Sequence, residues 1–130
     1  MNQFRMLDRK VDKPTCIEIK VEHVDDSDPD LSWLDQSDAE MGEGFEAKSA
    51  ERKATYGETW STIGIQAAAV YLIPVDSGSS IQTVVSGGLW GVETDSDAAY
   101  IAEIEEQELA EVRELMDKLG IVHEGVEPER

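Results

Sequence analysis

The sequence predicts an α+β fold, an antiparallel sheet of three or more strands with a long C-terminal helix packed on one face. Three observations predict it. Thr15 to Val24 alternates apolar and charged residues with the period of a half-buried strand. Thr62 to Asp97 is the longest low-charge stretch in an otherwise acidic chain, and it holds two apolar runs split by Pro74-Val75-Asp76-Ser77-Gly78-Ser79, a strand-breaking cluster. From Thr94 to Leu119 the apolar residues recur at helical spacing.

In chain order, a basic arm (1–13) precedes the first strand, 15–24. There Ile17, Ile19 and Val21 point one way and Glu18, Lys20 and Glu22 the other, with His23 at the end of the apolar face as an edge or lid histidine. Residues 25–46 are acidic and poor in β-branched side chains, which predicts a long, partly disordered loop pinned by Leu31, Trp33 and Leu34. Asp26, Asp28 and Asp30 have the spacing of calcium ligands. An EF-hand loop counted from Asp26 needs Gly sixth and Glu twelfth, where this chain has Leu31 and Ser37. That excludes the motif, and no metal is expected. Lys48 to Tyr56 has helix-forming composition.

The strand predicted over 61–73 is apolar on both faces except at Gln66, as a central strand is. It should pair antiparallel with 80–90, because a parallel pair needs a crossover of about a dozen residues or more. Ser86-Gly87-Gly88-Leu89-Trp90-Gly91 then reads as a bulge or sharp bend. A glycine-rich turn before a helix also suits a phosphate. Against that, no Lys or Arg lies between Lys53 and Arg113, and Glu93, Asp95 and Asp97 follow the turn. Trp90 is expected buried, holding the bend.

The helix predicted over 96–119 starts at Thr94 and Asp97, set at capping-box spacing, and stops before Gly120. Glu105 and Glu108 fall inside its apolar stripe, where two unpaired carboxylates would cost several kcal/mol. They are therefore expected to overhang the sheet. Residues 121–130 read as a frayed tail. The predicted core is Ile65, Ala67, Ala69, Val85, Ile101, Ile104, Val112 and Leu115.

A chain of 130 residues suits one domain. It has no apolar run of membrane-spanning length, no secretory-type apolar segment after Met1, and a single cysteine, Cys16. The expectation is a cytoplasmic protein in which Cys16 is a buried or edge residue. The net charge of −18 is concentrated: residues 22–46 hold ten acids and no base, and residues 93–118 ten acids and two bases. On the helix, Glu103, Glu106, Glu114 and Asp117 form an outer acidic row. Its members three residues apart, Glu103 with Glu106 and Glu114 with Asp117, stand about 5–6 Å apart, the spacing of successive phosphates on a nucleic-acid strand. The ordinary alternative is a solvated helix face.

The stretch Gly64 to Leu119, with its IQT-hydrophobic-SGGLWG-V-E-x-DSD run and acidic helix ending in Leu-Gly, resembles a family of small proteins encoded by phages and mobile elements. The resemblance implies a genomic setting in which small acidic proteins inhibit host defence, anti-CRISPR and anti-restriction proteins among them. Two readings follow. One is a non-enzymatic inhibitor whose Asp25, Asp26, Asp28 and Asp30 loop and Glu103–Asp117 row imitate nucleic acid and occupy the basic groove of a host protein or complex. It needs no cofactor and binds no nucleic acid itself. The other is an acidic structural or regulatory protein without mimicry. Catalysis is disfavoured, since the chain has no Ser-His-Asp ordering, no metal-spaced His/Cys set and no nucleotide loop. Monomer and dimer both remain open.

Overall fold

The computed structural model describes residues 6–7 and 10–130. The basic arm therefore lies largely outside the described residues. The α+β architecture is as expected: a mostly antiparallel sheet with one long helix on it. Its strands are β1 (Met6–Leu7), β2 (Thr15–Asp25), β3 (Thr62–Val75), β4 (Gly78–Val85), β5 (Leu89–Glu93) and β6 (Pro128–Glu129). The helices are α1 (Asp38–Met41), α2 (Phe45–Ala54) and α3 (Ala98–Lys118). The sheet order is β1-β4-β3-β2-β6, with β5 also paired to β3.

β3 is central, as its two apolar faces require. β2 pairs antiparallel along one edge, from Thr15↔Leu72 to Asp25↔Ile63. β4 and then β5 pair antiparallel with the other edge, so the run expected as one strand over 80–90 is two. Between them Ser86–Gly88 bulges out. The β3–β4 hairpin closes tightly, with Val75 opposite Gly78 and only Asp76 and Ser77 between.

α3 covers the face carrying Ile19, Ile65, Ala67 and Ala69, and its Leu109, Val112 and Met116 complete the main core with Cys16 and Ile121. At the other end Ile104 packs on Ile65 and Val92. Five of the eight expected core residues are buried, and Ile101 and Leu115 are half-buried. Val85 is a correction: it is 46% exposed. The tight hairpin sets Val84, not Val85, opposite Ala69, which puts Val85 on the face away from the helix.

Three further expectations change. A bulge between Cys16 and Glu18 turns Cys16 into the core and Ile17 outward. Burial also pushes the Cys16 thiol up from its ordinary value, against a nucleophilic role. The acidic segment 25–46 is largely folded, through a 3-10 turn at Ser32–Asp35 and then α1 and α2. Leu34 anchors it, whereas Trp33 is 43% exposed. Ser37 caps α1 by accepting from the Glu40 N–H. Asp38 and Glu46 each accept from the other's backbone N–H, at 2.7 and 3.1 Å, so carboxylates satisfy the amides that open both helices.

The tail is not frayed either. Ile121 is buried, Val122 bridges Thr15, and β6 runs parallel to β2 at Ile19 and Lys20. Only the N-cap of α3 follows expectation at its start: the Asp97 side chain accepts from the Ala99 N–H, while Thr94 binds Ser61 instead of capping.

Candidate functional site

The outer acidic row of α3 spans Glu103 to Asp117, about 21 Å at 1.5 Å per residue. All four side chains are exposed, but three of them are paired within the chain. Arg130, carried there by β6, meets Glu106 and also Glu105. Lys118 meets Glu114 at 3.2 Å, and His123 bonds Asp117 at 2.7 Å. Glu103 has no ion-pair partner among the described residues.

The second predicted block starts where β2 ends. By register Asp25 lies opposite Ile63, on the sheet face and at the sheet end where Ile101 and Ile104 of α3 pack. The loop acids and the N-terminal half of the row thus share one end of the molecule. Asp26 accepts from the Thr62 hydroxyl (3.2 Å) and the Asp28 N–H (3.2 Å). Asp30 accepts from the Ser32 N–H at 3.0 Å, and hydrogen bonding from Ser32 holds its carboxyl below the ordinary value. Among the described residues no three His, Cys, Asp or Glu side chains converge as a metal site. His23 sits at the strand end against Glu105, at 2.9 Å.

Glu105 and Glu108 do not overhang the sheet. Glu108 is 8% exposed and lies under the glycine turn, where its Oε1 accepts from the Ser86 hydroxyl (2.6 Å) and the Gly88 N–H (2.8 Å). The Ser86 Oγ in turn accepts from the Ala67 N–H, and Glu111 accepts from the Gly87 N–H at 3.0 Å. The anion on this turn is therefore the protein's own helix. That settles the choice between bulge and phosphate loop for the bulge, since both amides are taken.

A second polar knot joins α2 to the start of α3. Arg52 stacks over the Trp60 ring, 3.7 Å from its centroid, and donates to Glu93 (2.6 Å) and to both Asp95 oxygens (2.7 and 2.8 Å). The Trp60 indole N–H donates to the Arg52 carbonyl. Asp95 above all, with Glu93 adding, pushes the guanidinium further up, and Arg52 holds the Asp95 carboxyl below its ordinary value.

A depressed carboxyl contributes stability that is complete above its unfolded value, near pH 4, and is lost as pH falls through the lower folded one. Asp95→Asn should therefore lower Tm at pH 7, and the gap to wild type should close as both proteins are titrated toward pH 2. A gap independent of pH would mean that the Arg52–Asp95 charge pair contributes nothing. One sequence signal pointed to this knot: Lys48, Arg52 and Lys53 are the only bases between residues 22 and 112.

Beside the knot is a pocket of about 300 Å³, open to solvent. Trp33, Leu34 and Phe45 form its apolar side and Lys48, Ser49 and Arg52 its α2 wall. The sequence reading missed it, because its walls come from a 3-10 turn and a helix start placed in the expected loop.

No helix among the described residues is long and apolar enough to cross a membrane. No family model matches the chain, and neither a curated protein nor a solved structure matches it.

Proposed function

We propose that this chain is a non-enzymatic inhibitor, encoded by a phage or mobile element, whose acidic surface occupies the basic nucleic-acid groove of a host defence protein or complex. One observation carries the reading. Twenty of the 29 acids lie in two blocks, and the Asp25–Asp30 loop stands at the sheet end where α3 begins. Clustered charge of this kind steers fast association with a basic partner. The intrachain pairs on Glu106 and Glu114 are exposed ion pairs, worth only about 0–1 kcal/mol each, so a cationic groove can displace them.

Those pairs, with the His123 hydrogen bond to Asp117, are the observation that favours the alternative, an acidic structural or regulatory protein, because they engage three positions of the row within the chain.

The test starts from a pull-down in host lysate at low salt. A basic nucleic-acid-binding protein should be captured, released by salt between about 50 and 500 mM through screening, and displaced by DNA or RNA. Asp28→Lys with Glu103→Lys reverses two acids that have no ion-pair partner among the described residues. This variant should keep its fold, since exposed charge changes alter stability by about 0.5 kcal/mol or less, and lose capture. Capture that ignores both salt and the double reversal would refute mimicry.

A further inference from the structure

We infer that the pocket between the Ser32–Asp35 turn and α2 is a docking site for an apolar side chain flanked by Lys or Arg on a peptide segment of the partner. The inference rests on the reading of the partner as basic and adds to it a specific anchor point. The pocket holds about 300 Å³, enough for one large side chain and part of its backbone. Trp33 at its mouth is 43% exposed although the segment around it is folded. Exposed tryptophan beside an apolar recess is the residue type that carries most binding energy at protein interfaces.

Charge selects the occupant. Residues 30–53 hold seven acids against three bases; Arg52 is taken by Glu93 and Asp95, and Lys53 pairs with Asp35, which leaves six acids and Lys48. An acidic or neutral peptide would meet an unfavourable or indifferent field there. A basic one is drawn in, and its cations can also lie over the Trp33 ring. Lys48 is the lining cation without an ion pair among the described residues. It repels the flanking bases from the α2 wall, which leaves the anchor to enter the recess and the bases to face the acids around it.

The experiment uses the full chain and two amidated peptides, Lys-Arg-Phe-Arg-Lys and Lys-Arg-Ser-Arg-Lys, titrated by calorimetry in 150 mM salt with amide shifts followed by NMR. The phenylalanine peptide should bind about tenfold or more tightly than the serine one, as burial of an aromatic ring predicts. Shift changes should centre on residues 33–34 and 45–49. Trp33→Ala should bring the two peptides within about twofold of each other while the thermal melt is unchanged, because half of this ring is already in water. Lys48→Glu should strengthen binding of both peptides.

Equal affinity for both peptides in the wild type, or shifts confined to the outer face of α3, would overturn the proposal. The two readings fail separately. Loss of the anchor preference with salt-dependent capture intact removes the pocket and leaves the inhibitor. A preserved preference without competition by nucleic acid removes mimicry and leaves the pocket.

Discussion

Glu108→Ala should destabilise the fold by about 2–4 kcal/mol, more than any surface charge change, and Glu108→Gln by less than about 1. The alanine variant removes the acceptor of two hydrogen bonds at once. The Gly88 N–H loses its partner under the helix, and the Ser86 hydroxyl loses the oxygen at 2.6 Å. Each orphaned buried donor costs about 1–3 kcal/mol. Glutamine keeps the geometry because both donors use the same atom, Oε1, and an amide oxygen can accept from both. Denaturant titration of the two variants checks this. Equal losses would mean that the negative charge, not the acceptor, holds the turn. The loss should also reach beyond the turn, since Ser86 Oγ takes the Ala67 N–H of the central strand.

This carboxylate shows what could be read from the sequence and what could not. Periodicity placed Glu108 on the inner stripe of α3, and that was right. It could not say what lay beneath the helix, because the donors sit 22 and 20 residues upstream in a turn whose position depends on the strand register. The same limit explains Val85. Alternation identifies two faces of a strand but not which one meets the helix, and a hairpin closed by Asp76 and Ser77 alone decided that. Ile17 failed for a related reason, since a single bulge inverts every side chain on one side of it. The acidic segment 25–46 was misjudged by composition. Its carboxylates cap helices, as Asp38 and Glu46 do for each other, so acids that argue for disorder in bulk stabilise order in place. In the candidate site, the row on α3 followed from spacing alone. Its pairing with Arg130 and His123 did not, because it needs the tail to return along β2.

Gly64→Ala should cost about 1–3 kcal/mol in the wild type and nothing once Trp90 is gone. Trp90, expected buried against the helix or sheet, is 49% exposed and lies against Gly64, on the sheet face away from α3. A methyl group at residue 64 would come within 2.7 Å of three carbons of the indole ring, so the ring must leave the sheet, with the cost typical of overpacking. The lack of a side chain at Gly64 is therefore what lets Trp90 lie on the strand. Trp90→Ala alone should cost only about 1–2 kcal/mol, below the 3–5 of a fully buried aromatic, since half the ring is already hydrated. In that background Gly64→Ala meets no ring, and it relieves the roughly 0.5–1 kcal/mol penalty of glycine inside a strand. The substitution should then be neutral or mildly stabilising. A double-mutant cycle by chemical denaturation measures the coupling directly. Strictly additive costs would show that Trp90 does not rest on Gly64 in solution. The ring would then be a free surface aromatic, and the need for glycine at residue 64 would have to lie in the backbone instead.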